Sequence, residues 1–202
     1  MKKPLNEWAR EIHLNAVEHG WWDEPRTVDE VASLIHSEWS EALEEFRAGR
    51  PMVWFECGLA GRNMCDYIAT KCEWKGHNRC LTLHRQPKPE GIAVELVDGC
   101  IRILDYLATI VPQDAPDRWR WCAAIDAEDA HMPLPSLIER LHSMVVHAYD
   151  LDPDRLEPGT LRGAIIIVAG WLKAHSIDIE EIMELKHAYN MTRPYRHGGK
   201  RL

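Results

Sequence analysis

An all-α fold is predicted by three observations. Apolar residues recur at helical spacing along most of the chain, Gly and Pro fall where those runs end, and nothing reads as a punctuated series of strands. The first helix covers residues 6–19 and is ended by Gly20. The connector WWDEPRT leads to Thr27, which with Glu30 has the S/T-x-x-E form of a capping box. The second helix then runs over residues 28–47, stopped by Gly49 and Pro51. A third spans 89–110, with Pro112 and Pro116 beyond it, and three more cover 135–149, 160–175 and 179–190.

A chain of 202 residues suits one all-α domain over 1–202 carrying insertions. Two stretches are long for connections inside a bundle: residues 52–88, which hold four of the six cysteines, and the Pro-, Asp- and Trp-rich loop 111–133. A hydrophobic fraction of 46% argues for a packed core. The start MKKPLNEWAREIH has no apolar run behind its lysines, and the longest apolar run, residues 164–170, is far short of the roughly 18 residues of a membrane span. The expected location is the cytoplasm, with no membrane partner. A net charge of -8 argues against a nucleic-acid partner. The tail RPYRHGGKRL is basic nonetheless, which suits either phosphate binding or a solvated terminus.

The chemistry concentrates on two helices. On the second, Val31, Leu34, Ile35, Ala42, Leu43 and Phe46 follow the spacing of a buried stripe, and Glu38 falls inside it. Glu41 and Glu45 follow on the same face, with Glu44 beside them. A carboxylate on a core-facing stripe needs a partner or a metal. The third helix is apolar around most of its circumference and leaves a narrow polar stripe of Glu95, Asp98, Arg102 and Asp105. Set across a bundle, E38-x-x-E41 and E95-x-x-D98 bring four carboxylates together. A hard divalent cation would turn their repulsion into ligation. Mg²⁺ fits best, with Mn²⁺ as the alternative, and the histidine of a di-iron E-x-x-H is missing. The competing reading is paired acids with partners one turn away.

These motifs resemble those of the MazG-like, all-α nucleoside triphosphate pyrophosphohydrolases. LIHSEWSEALEEFRAGRP, KPEGIAVELVDGCIRILDYL and the ending K186-H-A-Y-N190-M-T-R193-P-Y-R-H197-G-G-K200 carry the likeness. It covers roughly residues 5–50, 88–110 and 176–201. The resemblance implies a helical bundle and hydrolysis of an NTP or dNTP between its α and β phosphates. It makes Glu38, Glu41, Glu95 and Asp98 the catalytic metal ligands. Lys186, Arg193 and Lys200 would neutralise the phosphates, Asn190 would orient a phosphate or the sugar, and His197 with the following glycines would let backbone approach the phosphates. For Lys186 and Asn190 the alternative is ordinary polar positions on a terminal helix. A base-stacking role falls to one tryptophan of the pair Trp21 and Trp22, with Trp22 preferred, against packing in the core. Glu45 is a candidate supporting residue, and Glu44 a solvated one.

The chain also aligns with itself. Residues 31–46 lie on 134–149 through a shared SLI, so that Glu38 meets Leu141 and Glu41 meets Met144; Asp98 and Gly99 meet Ala169 and Gly170, and Glu95 meets Ile166. Residues 134–175 thus read as a degenerate repeat of the 28–110 hairpin without its acids, or as two amphipathic helices that align by chance. Because related enzymes dimerise through such bundles, the expectation is a homodimer or a pseudo-dimeric monomer.

Cys57, Cys65, Cys72 and Cys80 lie at intervals of seven and eight residues. They are candidates for a structural Zn²⁺, although the spacing lacks C-x-x-C, and reduced thiols or disulfides are the alternatives. Cys100 reads as a core residue. The leading functional expectation is an Mg²⁺-dependent pyrophosphohydrolase in nucleotide-pool housekeeping. A non-catalytic nucleotide or metal sensor on the same bundle is the second.

Overall fold

The computed structural model describes residues 3–55, 65–66, 88–111 and 130–199. The architecture is an all-α bundle: α1 (Leu5–Glu18), α2 (Val28–Arg47), α3 (Ile92–Ile110), α4 (Leu134–Leu151), α5 (Pro158–Ala174), α6 (Ile179–Met191) and the short α7 (Arg196–Gly199). No described helix is long and apolar enough to cross a membrane.

Helix α3 is the hub. Its residues Ala93, Val94, Leu96, Val97, Cys100 and Ile103 are fully buried, as its apolar circumference requires, because α1, α2, α5 and α6 all pack on it. Helix α2 lies closest along it, and Gly99 permits the approach: a Cβ there would collide with the indole of Trp39. That indole Nε1–H donates to the Leu96 carbonyl oxygen at 3.3 Å. Burying side chains such as Ile35, Trp39 and Leu96 stabilises the pairing by about 1.5–3 kcal/mol each.

Helices α4 and α5 form the second hairpin. Helix α4 packs on α2 and α5, and α5 packs on α3. Leu141, set against Glu38 in the self-alignment, is fully buried. The hydroxyl of Tyr149 on α4 hydrogen-bonds Asp29 at the start of α2, and His142 meets His36 with Nδ1 atoms 2.6 Å apart, so the two helices run antiparallel.

Helix ends follow local chemistry. The capping box at Thr27 is complete: Glu30 N–H donates to Thr27 Oγ1 at 3.2 Å and Thr27 N–H donates to Glu30 Oε2 at 2.8 Å. Two helix starts differ from the sequence expectation by more than one residue. Helix α5 begins at Pro158 rather than 160, because the Glu157 carboxylate accepts from the N–H groups of Gly159 and Thr160 at 2.8 and 2.6 Å. Helix α3 begins at Ile92 rather than 89, because Pro89–Glu90 is a strand and Gly91 turns the chain at φ +113°.

That strand belongs to a small sheet the sequence did not announce. β1 (Trp54–Phe55) pairs antiparallel with both β2 (Cys65–Asp66) and β3 (Pro89–Glu90), in the order β2-β1-β3. It ties together the two ends of the cysteine-containing insertion. The Zn²⁺ candidates Cys57, Cys72 and Cys80 lie outside the described residues, and Cys65 is described only as backbone in β2. Of the loop 111–133, residues 112–129 likewise lie outside them.

Candidate metal centre

The site is built where α2, α3 and α6 meet. Buried Val31, Ile35, Trp39 and Ala42 hold one face of α2 against α3, and Glu38 on that face is carried inward with them. Glu95 and Asp98 face it from α3, at 4% and 9% exposure. One oxygen from each of Glu38, Glu95 and Asp98 comes within 4.8 Å of the others, the only group of this kind among the described residues.

Three acids so close and so dry do not all ionise readily. Burial first, and then repulsion from Asp98, push the Glu95 carboxyl up to about 9, with Lys186 opposing. Burial pushes Asp98 up to about 6 against the pull of Lys186. Two cations relieve the rest. Lys186 of α6, only 3% exposed, places Nζ 2.5 Å from Asp98 Oδ2. Arg102, one turn beyond Asp98, donates from Nε and from Nη2 to the same Glu38 Oε1, both at 2.8 Å. Burial would lower the Lys186 ammonium pKa, yet Asp98 and Glu95 hold it above its ordinary value. Burial likewise opposes Arg102, and Glu38 raises it.

The acids line a cleft of about 300 Å³. Glu41 lines it too, outside the trio; its carboxyl is raised by burial and by Glu38. From α6 and the tail come Lys186, Asn190, Arg193 and His197. The sequence thus named eight residues that one cleft brings together, and Lys200 lies outside the described residues. The side-chain oxygens of Asn190 and of Asn15 on α1, which also lines the cleft, are buried with no hydrogen-bond partner among the described residues. Buried polar atoms of this kind are normally satisfied, so both suit a ligand's donors.

Trp22 is placed differently from expectation. Its indole Nε1–H donates to both oxygens of Asp105, at 2.9 and 3.2 Å, and its ring meets His13 edge-on at 5.2 Å. The tryptophan lining the cleft is Trp21, edge-on to His197 at 4.8 Å. Glu45 accepts from Trp54 Nε1–H at 2.6 Å, away from the trio, and Glu44 pairs with Arg47 in solvent.

The tail reaches the cleft because it is clasped to the α1–α2 connector. Tyr195 Oη–H and Arg196 Nη2–H both donate to Asp23, the latter at 3.0 Å, and Arg196 N–H donates to the His19 carbonyl oxygen at 2.9 Å. The Tyr195 ring lies over Gly20, where a Cβ would collide with it. Arg196 and His197 adopt φ of +46° and +48°, the left-handed region, to make this turn.

Sequence reasoning did not assign Arg102 or Asn15 to the site, and placed Trp21 second to Trp22. Arg102 was visible as the one base on the polar stripe of α3. Asn15 had no signal, since a single Asn on an amphipathic helix is common.

Comparison with known protein families, with curated proteins and with solved structures gives no match. The residues therefore have to be read on their chemistry. Three buried carboxylates offering one oxygen each form an all-oxygen donor set, which suits a hard divalent ion such as Mg²⁺ or Mn²⁺ rather than Zn²⁺. The raised pKa values of Glu95 and Asp98 fit that reading, because such groups gain most from a cation.

Proposed function

We propose that the protein is a metal-dependent hydrolase of phosphoric anhydrides. More particularly, it is a MazG-like nucleoside triphosphate pyrophosphohydrolase, which splits an NTP or dNTP and water into the nucleoside monophosphate and pyrophosphate. One observation carries the reading: Glu38, Glu95 and Asp98 converge within 4.8 Å in a cleft that also holds Lys186, Asn190, Arg193 and His197. Acids for a divalent ion and cations for a polyphosphate chain thus share one space.

Glu38, Glu95 and Asp98 would hold Mg²⁺, with Mn²⁺ as a substitute. When bound, the ion supplies polarisation of the phosphoryl oxygens and a lowered pKa for the attacking water. The chain's own residues do the remainder. Glu41, held above its ordinary pKa beside the trio, takes the proton of the attacking water on its carboxylate. Lys186 and Arg193 neutralise the charge that builds on the bridging oxygen as the bond from the α phosphorus to that oxygen breaks. The amides of Asn15 and Asn190 orient the nucleoside end, and Trp21 offers it an aromatic edge.

The test is a panel of NTPs and dNTPs with Mg²⁺, scored for pyrophosphate against phosphate. Glu38→Gln and Asp98→Asn are each expected to lower kcat by at least ~100-fold, as for loss of a charge-stabilising group in a water-excluded site. Phosphate as the sole inorganic product would exclude the α,β cleavage. Nucleotide binding without turnover in every case would favour the sensor reading instead.

A further inference from the structure

In the described structure two acids of the trio already have cationic partners. Asp98 Oδ2 is taken by Lys186 Nζ at 2.5 Å, and Glu38 Oε1 by two guanidinium N–H groups of Arg102. A divalent ion arriving alone must compete with these cations for the charge of the two carboxylates. It then leaves an ammonium that is only 3% exposed next to new positive charge, with little water to solvate it. The penalty vanishes if a polyphosphate arrives as well. Lys186 lines the cleft beside Arg193 and Asn190, and Arg102 lines it beside Asp98, so phosphate oxygens can replace the carboxylates as their partners.

We infer that Lys186 and Arg102 are resident counter-ions that make binding of the divalent ion and of a polyphosphate chain depend on each other, each ligand vacating the groups the other needs. This rests on the proposed function for the identity of the anion, and its metal half stands apart from it. Such coupling is reciprocal: whatever factor the anion adds to metal affinity, the metal adds to anion affinity. The protein would take up metal and nucleotide together and hold neither tightly alone. Free nucleotide-independent occupancy of the trio would be low even where the ion is abundant.

The experiment is titration of the full chain with Mn²⁺, followed by electron paramagnetic resonance, alone and with a nucleoside triphosphate whose α,β bridge is an imido group. For the unaltered protein the analogue is expected to tighten Mn²⁺ binding by roughly tenfold or more, within the usual range of coupling between sites. Lys186→Met and Arg102→Met are each expected to bind Mn²⁺ alone about tenfold tighter than the unaltered chain and to lose most of the analogue's effect. A Lys186→Met chain that folds only when Mn²⁺ is added supports the inference equally, since the ion then replaces the ammonium. Unchanged or weaker Mn²⁺ affinity in both variants would overturn it, as would equal affinity with and without analogue in the unaltered protein. The two readings fail separately. Tighter Mn²⁺ binding by the variants with no pyrophosphate release from any substrate would remove the enzyme and leave the counter-ions. Pyrophosphate release with no tightening would do the reverse.

Discussion

Glu95 gives the site a pH signature. Its carboxyl stands at about 9 in the folded chain against 4.5 ordinarily, because burial and Asp98 disfavour its charge. Between those values the folded state holds a proton that the unfolded chain has released, so stability falls as pH rises through the window and levels off above it. Asp98, raised to about 6, acts in the same sense lower down. His36, His142 and His187 are lowered by burial and act in the opposite sense, but only below their ordinary 6.5. The span from about pH 7 to about 8 therefore belongs chiefly to Glu95, and nearer 9 the buried Cys100 thiol, pushed above its ordinary 9.0, adds in the same sense. In EDTA, urea midpoints are expected to drop across that span, by no more than about 1.4 kcal/mol per pH unit for one proton. Saturating Mg²⁺ should flatten or reverse the trend, since the ion needs the deprotonated ligand. Metal-free stability that rises from pH 7 to 9 would contradict the assignment. At this scale the sequence was informative where a residue broke a pattern: Glu38 stood out because it interrupts an apolar stripe. Lys186 was legible as a residue and not as a buried ion pair, because its partner Asp98 lies 88 positions away on another helix. Trp21 and Trp22 are adjacent, and no local pattern says which of the two turns toward the cleft.

Helix α3 is held to α2 through a glycine that an isolated helix would be better without. In an exposed helix, Gly→Ala stabilises by about 1 kcal/mol. At Gly99 the added methyl meets the Trp39 indole, and Gly99→Ala is expected to destabilise by about 1–3 kcal/mol, as overpacking does. A lower urea midpoint with an unchanged slope would show it; a higher midpoint would refute the close contact. Elements with their own start and stop chemistry were legible: α2 has its capping box before it and Gly49 after it, and both ends fall where expected. The small sheet was not. Strands of two residues carry no periodicity, and β1 finds β3 across 34 to 36 positions, a pairing that only tertiary structure supplies. The early start of α5 is readable in the local sequence, an acid at Glu157 followed by Pro158.

Over the whole molecule, chain segments distant in sequence meet at the cleft, and the clasp between the tail and Asp23 is the most exposed of these joins. Its partners are about 40% accessible, so the pair contributes no more than about 1 kcal/mol to stability. Asp23→Ala is therefore expected to leave the melting temperature nearly unchanged while trypsin cuts after Arg196 several-fold faster. Cleavage as slow as in the unaltered chain would mean that other contacts hold α7. The bundle was legible at this scale because the order of the six long helices follows from periodicity, whereas the four-residue α7 is too short to carry any. How the hairpins stack was not, because one amphipathic face does not specify its neighbour. Comparing the chain with itself nonetheless singled out α4 and α5 as a unit, and in the structure these two helices pack on each other as well as on α2 and α3.

The pairing of Trp54 with Glu90 and Phe55 with Pro89 works as a cinch at the neck of a long excursion. Chain leaving α2 and chain entering α3 are fastened together, five residues before Glu95 on one side and sixteen after Glu38 on the other, so the distance from Glu38 to Glu95 does not depend on how much polypeptide lies beyond the join. Doubling a loop beyond such a neck adds only about 0.6 kcal/mol of closure entropy. The position between β1 and β3 is thus a natural docking bay for foreign sequence, where a reporter or a second domain could be spliced in without disturbing the carboxylates.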